Sequence, residues 1–294
     1  MRYLRSIINK VILMKKLIIV ATLVVVSLAV RAQSSFVVKD FGSFKLHVQV
    51  TNDPLGDMSS VIEGAESLVI VEPAAFNSSI KEQQMYIDAL GKRVERVIAN
   101  YHTAGLAAYP RECYVMVEGM PEFVQGEVYS GMMAGFAQAF GSEIATDGSL
   151  PTATVAREGR VEMAGLTFAF YGGSTSDFPA SSILIGGKVY YLHFAPVAGA
   201  HMSPLQITGR QAVDAYLAEL EHAKATGAEA FIGGHGAGIA DVQAVEFQIA
   251  YLQTVKALMN EKQTADEFAE ALKAAYPEAV LTDYVSGLAS NLYQ

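Results

Sequence analysis

The strongest constraint on the fold comes from residues 94–110, VERVIANYHTAGLAAYP. An apolar strand there ends in a short polar turn and leads at once into a helix start rich in small residues. Strand ends of this kind gather functional groups in α/β proteins, because backbone N–H groups and side chains converge there without strain. The turn holds Asn100, Tyr101, His102 and Thr103, and of these only His102 is a good metal ligand. We therefore expect an α/β protein with its chemistry at this strand end.

The N-terminal segment predicts export. An apolar run over residues 17–30 follows two lysines and leads to small residues that end at Ala32. Its length of about 14 residues falls short of the roughly 20 that a transmembrane helix needs. Residues 1–32 are therefore expected to be a secretory signal peptide, with Met14 as a possible true start. Cleavage predicts a periplasmic or secreted protein with no stable membrane span, and the alternative is an uncleaved anchor helix.

The charge of the mature chain limits the classes of molecule that it is expected to bind. Removing residues 1–32 takes away six of the 21 Lys and Arg residues and none of the 30 Asp and Glu residues, so the net charge becomes 15 − 30 = −15. Nucleic acid is a poor partner for such a surface. Residues 33–294 suffice for one large domain, and the lone Cys113 excludes an intramolecular disulfide. Stability must come from the apolar core.

Strand and helix patterns alternate along residues 33–294. Strand patterns cover residues 36–50, 59–71, 94–99, 112–117, 152–171, 181–194 and 229–232, and helix patterns cover residues 78–91, 210–226 and 241–259. A capping box of Thr264 and Glu267 predicts a last helix that ends before Pro277. Residues 119–145 carry methionines and aromatic residues at three- and four-residue spacings. This stripe predicts a helix packed in the core rather than a ligand-binding box.

Four loops follow predicted strands in an order that could build one pocket: residues 100–105, 172–177, 193–201 and 233–238. Asp177 is the only carboxylate among them. Three imidazoles are a known zinc-binding set, so His102 and His235 with either His193 or His201 could hold one metal ion. The alternative for each histidine is a hydrogen-bonded residue of the core or pocket. The glycines of GGHGAG lack the spacing of a phosphate loop and predict close backbone packing.

The order of these segments resembles the metallo-β-lactamase fold superfamily, in particular its exported, uncharacterised metallo-hydrolase branch. The similarity runs from about Phe36 to the C-terminus, through SSVIEGAESLVIVEPAAF, VERVIANYHTAG, LTFAFYGGSTSD, KVYYLHFAPVAGAHMSPL, FIGGHGAG and TADEFAEALKAAYP. It implies a four-layer αββα sandwich, α/β (α+β) in class, formed by residues 33–294 as a single domain.

The resemblance also assigns metal-ligand positions. In that superfamily a His-x-His-x-Asp-His run, a Gly-His-Thr, a bridging Asp and a final Gly-His hold two metal ions, usually zinc. Of these seven positions the resemblance implies that only His102 and His235 keep a ligand. The other five positions carry Asn100, Ala104, Gly105, Ser174 and Phe194. Because Ala, Gly and Phe side chains donate no lone pair, a two-metal hydrolytic site is not expected.

Two functions follow as expectations. The first is a protein whose two-metal site is largely lost and which is non-catalytic or diverged, binding a small molecule or an envelope protein in the old cleft without a cofactor. The alternative is a zinc-dependent hydrolase with a rearranged mononuclear site that uses His102, His235 and His193 or His201. No catalytic residue is assigned. The side chains expected to line the cleft are those of Tyr101, Thr103, Thr175 and Asp177.

Overall fold

The computed structural model describes residues 34–172 and 178–294, which contain two β-sheets. Strands β1 to β4 of the first sheet are antiparallel neighbours, and β4 to β7 run parallel. Since parallel neighbours need long crossovers, the chain passes through helical segments between β4 and β5 and between β6 and β7. The seven strands, in their order across the sheet, are β1 (Ser35–Asp40), β2 (Lys45–Val50), β3 (Met58–Glu63), β4 (Ser67–Val71), β5 (Arg93–Ala99), β6 (Tyr114–Val117) and β7 (Ala153–Val155).

The second sheet has five strands. Its order is β12-β11-β10-β9-β8, with β11 and β12 parallel and the other neighbours antiparallel. The strands are β8 (Gly159–Met163), β9 (Leu166–Tyr171), β10 (Ser182–Ile185), β11 (Val189–Phe194) and β12 (Ala230–His235). The carboxyl ends of β11 and β12 therefore lie side by side.

Seven α-helices lie within the described residues. They are α1 (Asn77–Leu90), α2 (Met120–Val124), α3 (Glu127–Phe140), α4 (Arg210–Ala225), α5 (Val242–Glu261), α6 (Ala265–Ala275) and α7 (Tyr284–Leu292). Helix α1 lies on the outer face of the first sheet, where Gln83 donates hydrogen bonds to Gln49 and Ser59. Helices α4 to α7 cover the outer face of the second sheet.

Two large apolar cores lie between the layers. The larger lies between the sheets, where β4 residues such as Ile70 meet Phe168 and Ile183 of the second sheet. The other lies outside the second sheet, where Tyr190 and Phe231 pack against the helices. Every residue of β4 is buried, which explains why this strand is apolar on both faces. The predicted four-layer αββα sandwich is confirmed.

Two sequence predictions need correction. The capping box at Thr264 and Glu267 does start α6, but α7 follows, so the helix before Pro277 is not the last. The Met- and aromatic-rich stripe forms α2 and α3, yet it is packed in the core only in part, because most residues of α3 are half-buried or exposed. Tyr129 is buried, and the other apolar side chains of α3 are left partly or wholly uncovered.

The predicted signal peptide lies outside the described residues, so cleavage after Ala32 and export stay predictions. Among residues 34–172 and 178–294, no helix combines the length and the apolar character needed to cross a bilayer.

Candidate metal centre

Three histidines converge where the two sheets meet. His102 follows β5, His193 lies near the end of β11, and His235 is the last residue of β12. One ring nitrogen from each lies within 4.8 Å of those of the other two. The cluster stands at the carboxyl ends of parallel strand pairs, where side chains of neighbouring strands point to a common space.

The rings of His102 and His235 face each other through matching atoms. Their Nε2 atoms are 3.1 Å apart, while the Nδ1 atom of His102 lies 3.8 Å from Glu72 Oε2 and that of His235 lies 3.1 Å from Asp57 Oδ1. A carboxylate near Nδ1 is the usual partner of a metal-binding histidine, because it fixes the ring and directs Nε2 at the ion. Two nitrogens held tetrahedrally at the usual Zn–N distance are about 3.3 Å apart. The donor set therefore fits zinc.

Glu72 is the buried support of the cluster. Its side chain is fully buried and accepts hydrogen bonds from the backbone N–H of Tyr101 (2.7 Å), the N–H of His102 (3.2 Å) and the hydroxyl of Tyr191 (2.7 Å). The backbone of Glu72 itself has φ +59°, a left-handed conformation that non-glycine residues rarely adopt. Such strain persists where surrounding contacts fix the residue, and here they fix the loop that carries His102.

A second carboxylate loop supports His235. Asp53 accepts hydrogen bonds from the Thr51 hydroxyl and from the N–H groups of Leu55 and Asp57, which shapes residues 51–57 into a tight loop. Burial, together with the neighbouring charge of Asp57, raises the pKa of Asp53 to about 6. The loop places the 5%-exposed Asp57 against His235.

Packing holds the third ring. His193 stacks flat on Tyr101, with ring centroids 3.9 Å apart, and only 8% of the residue is exposed. The side chains of His102 and His235 are each 19% exposed, so solvent reaches the cluster from their side. Close approach of β12 depends on Gly234, because a Cβ there would lie 2.9 Å from His102 Cε1. Gly233 of the same turn packs against backbone, since a Cβ there would lie 2.3 Å from the backbone N of Ala195, and this agrees with the predicted close backbone packing.

The three imidazole rings differ in the direction in which their surroundings shift the pKa. Burial lowers the pKa of His102 and, together with the nearby His235 and His102, lowers the pKa of His193 well below its usual value. For His235 burial acts in the same direction, but contact with Asp57 and the negative charges around it raise the pKa above the usual value. A hydrogen bond across the 3.1 Å between the two Nε2 atoms needs one ring as donor and the other as acceptor. A metal ion bound by both atoms would need both of them without a proton.

Several solved structures are similar to this chain in fold. The stereoselective inverting sec-alkylsulfatase Pisa1 from Pseudomonas sp. matches with a TM-score of 0.62 at 15% identity, over 87% of this chain and 49% of its own. The DIM-1 metallo-β-lactamase matches with a TM-score of 0.54 at 12% identity, over 77% and 99%. A metallo-β-lactamase family protein from Thermus thermophilus matches with a TM-score of 0.53 at 14% identity, over 87% and 91%.

This chain has the metallo-β-lactamase fold. The superfamily resemblance read from the sequence is thereby confirmed at the level of fold. No family model and no curated protein matches the chain. Since identities this low show the fold alone, the activities of these proteins are not carried over to it.

Three of the residues that the resemblance assigns to replaced ligand positions have other contacts here. Asn100 is fully buried, and its amide exchanges two hydrogen bonds with the Ser181 backbone. Ala104 is buried against Phe76 and Ile144. Gly105 has φ +83°, and a Cβ built on it would lie 2.3 Å from the carbonyl oxygen of Ala74. A histidine side chain could not stand at Gly105 without moving this backbone.

We expect Gly105→Ala to destabilise the protein by about 2 to 4 kcal/mol, because strain at positive φ adds to the backbone clash. Urea unfolding of the metal-free protein would measure it. Gly91→Ala is the matched control: Gly91 has φ +68° but open space around its Cβ position, so about 1 kcal/mol is expected. Equal losses in the two variants would contradict the role of the Ala74 contact.

The other residues that the sequence predicts for the site do not all line an open cleft. Tyr101 is almost fully buried beneath His193 instead of lining an open cleft, and Thr103 is half-buried. Phe194 stacks on His235 with centroids 4.9 Å apart, so it flanks the cluster. Ser174, Thr175 and Asp177 lie outside the described residues, and their predicted roles stay predictions.

Neither carboxylate of the candidate centre is among the residues predicted from the sequence. The four predicted loops hold only the carboxylate of Asp177, whereas Glu72 directly follows β4 and Asp57 directly precedes β3. The signal for Glu72 was available: it is a lone acidic residue directly after a wholly apolar strand and before Pro73. Asp57 carried no comparable signal, since acidic residues are common in turns.

His201 does not join the cluster. It lies after β11 in a buried position, where its Nδ1 is 3.0 Å from the hydroxyl of Tyr251 on α5. Its Nε2 is buried and has no hydrogen-bond partner among the described residues. Of the two candidates for a third ligand, the structure therefore brings His193 to the pair and leaves His201 in the outer core.

Acid should destabilise the protein through His201. Burial, with a smaller effect of Lys273, lowers its pKa below 6.5, so the unfolded chain takes up a proton that the folded chain resists. The stabilisation is fully present above pH 6.5 and is lost as the pH falls below it. Urea unfolding at several pH values should show a shallower acid decline for His201→Gln and parallel curves above pH 7.5. An unchanged decline would contradict this.

Proposed function

We propose that the protein is a metal-dependent hydrolase with a single zinc ion held by His102, His193 and His235. The observation that carries this proposal is the convergence of three imidazole nitrogens within 4.8 Å, two of them backed by carboxylates. Three protein ligands with a remaining open position are the usual arrangement of a catalytic zinc, whereas structural zinc sites use four. The proposal adopts the mononuclear alternative and, of the two candidates left open for the third ligand, takes His193 rather than His201.

The fold supports the proposal. The cluster lies at the carboxyl ends of strands from both sheets, and two of the matched structures are enzymes by name, a β-lactamase and an alkylsulfatase. Their names refer to different bonds, a β-lactam amide and an alkyl sulfate. The scaffold therefore leaves the class of bond open, and it must be found by assay.

Each residue has a defined part. Zinc, when bound, supplies a Lewis acid that polarises a substrate oxygen and makes a water more acidic at neutral pH. His102 and His235 present Nε2 because Glu72 and Asp57 occupy the Nδ1 side. His193 stays uncharged through burial, which keeps its nitrogen free to bind a cation. Tyr101 closes the far side of His193 and excludes solvent from it.

A substrate panel tests the proposal. Zinc-loaded protein would be assayed with nitrophenyl esters, sulfates and phosphates and with a chromogenic β-lactam. We expect hydrolysis of at least one class, its loss with a chelator and its return with zinc. A His193→Ala variant should be inactive.

The rival prediction, a cleft that binds a small molecule or an envelope partner without metal, gives a different outcome. It predicts that the purified protein retains no zinc after dialysis and that a chelator changes nothing. If the protein retained zinc but hydrolysed no class of substrate, the proposed metal site would stand and the proposed hydrolase activity would be refuted.

A further inference from the structure

Helix α3 is apolar but only partly covered. Its sequence, EVYSGMMAGFAQAF, carries a single charge at Glu127, and Tyr129 is its one buried residue. Val128 is 61% exposed, and Met133 and Phe136 are half-buried. An uncovered apolar surface on a globular protein usually marks a binding region.

Tyr129 ties α3 to the candidate metal centre. Its hydroxyl accepts hydrogen bonds from the backbone N–H (2.9 Å) and the hydroxyl (3.1 Å) of Thr103, the residue after His102. It also lies 3.3 Å from the carbonyl oxygen of Tyr101. The start of α3 is therefore fixed to the loop that presents His102.

One turn after Tyr129, α3 contributes to an apolar wall, which we define as Leu55, Met133 and Phe136. Met133 and Phe136 belong to α3, and Leu55 belongs to the loop before β3. All three are half-buried and pack against the small buried cluster that contains Ala104. Leu55 comes two residues before Asp57, which contacts His235, and Ala104 comes two residues after His102. The wall therefore packs beside the two loops that carry His102 and Asp57.

The apolar wall contains no side chain that could pair with a charged group of a ligand. No Lys, Arg or His occurs in the sequence between Arg111 and Arg157, so α2, α3 and their connections contain no cation. Glu122 and Glu127 make this region acidic. An anionic tail would be repelled here, and a polar tail would leave its hydrogen-bonding groups without partners.

We propose that the apolar wall binds an unbranched aliphatic acyl or alkyl chain of a substrate whose polar, reacting end lies at the three histidines. The inference rests on the proposed zinc site and adds the class of substrate to it. Methionine and phenylalanine suit this use, because an unbranched thioether side chain adapts to chains of different length. The link of α3 to the His102 loop through Tyr129 and Thr103 favours a substrate chain over a second copy of the protein.

Alkyl hydroxamates test the wall without requiring catalysis, since their head group chelates zinc. Zinc-loaded protein would be titrated calorimetrically with acetohydroxamate, butyrohydroxamate and octanohydroxamate. We expect affinity to rise about two- to fourfold for each buried methylene. Phe136→Ser and Met133→Ser should remove most of this gain and leave acetohydroxamate binding unchanged, while Val128→Ser, on the exposed side of α3, should keep the gain.

The outcomes separate the two proposals. If acetohydroxamate does not bind, the zinc site fails and the inference fails with it. If acetohydroxamate binds but affinity does not grow with chain length, or grows equally in Phe136→Ser, the zinc site stands and the wall is refuted. Light scattering identifies the other occupant: a dimer that Phe136→Ser dissociates, with the chain-length gain intact, would assign the wall to a second copy.

Discussion

Zinc affinity is expected to collapse when any one of His102, His193 or His235 is replaced by alanine. With two ligands left, the ion loses a bond that the surrounding apolar residues cannot replace, because a catalytic zinc needs about three protein ligands. The loss should exceed the 10- to 100-fold that removal of an outer hydrogen-bond partner causes. Competition titration against a chelator of known affinity would measure it.

Two further histidines serve as controls for that experiment. His201→Gln changes a buried histidine outside the cluster, and His222→Ala changes an exposed one on α4. Both should bind zinc as tightly as the unmodified protein. If His193→Ala also retained full affinity, the third ligand would have been assigned wrongly and the site would have to be built on other residues.

The second large effect is expected at Glu72. In Glu72→Ala, the N–H groups of Tyr101 and His102 and the hydroxyl of Tyr191 lose their common acceptor inside the protein. Each unsatisfied buried group costs about 1 to 3 kcal/mol, so a total near 3 to 5 kcal/mol is expected even after partial relaxation. Urea unfolding of the metal-free protein measures this loss.

Glu66→Ala is the matched control, because Glu66 is an exposed glutamate at the other end of the same strand. Its effect should stay within about 0.5 kcal/mol. Zinc affinity of Glu72→Gln adds a second readout: an amide keeps most of the shape but not the charge near His102 Nδ1, and a 10- to 100-fold weaker affinity is expected. Stability and affinity both unchanged in Glu72→Ala would contradict the supporting role.

The fold was predictable because its signals are local and repeated. Strand β4 is apolar on both faces, α1 has one wet face, and the capping box of α6 is visible at Thr264 and Glu267. Helix α7 escaped notice because it lacks a side-chain cap at its start. The exposure of α3 could not be predicted either, since periodic apolar residues indicate a helix but not what covers it.

The candidate site was predictable only in part, because its members are far apart in the sequence. His102 and His235 stand out as histidines at strand ends. The choice between His193 and His201 depends on which ring turns between the sheets, and spacing alone does not determine it. Glu72 and Asp57 reach the histidines from other strands, so only the packed structure shows that each imidazole of the His102 and His235 pair has a carboxylate behind it.

Residues 94–110 carry His102, the first of the three proposed ligands, on the loop after β5. Gly105 passes too close to Ala74 for any side chain, and Asn100 is engaged with Ser181. What the sequence alone suggested as loss of a two-metal site is, in three dimensions, compatible with a different site assembled around His102.

The number of zinc ions retained per chain tests this account most directly. The protein would be loaded with excess zinc, dialysed against metal-free buffer and analysed for zinc and protein together. We expect about one ion per chain, lost in the His193→Ala variant. A protein that retains no zinc, or one that retains two ions per chain, would contradict a single-ion centre built from His102, His193 and His235.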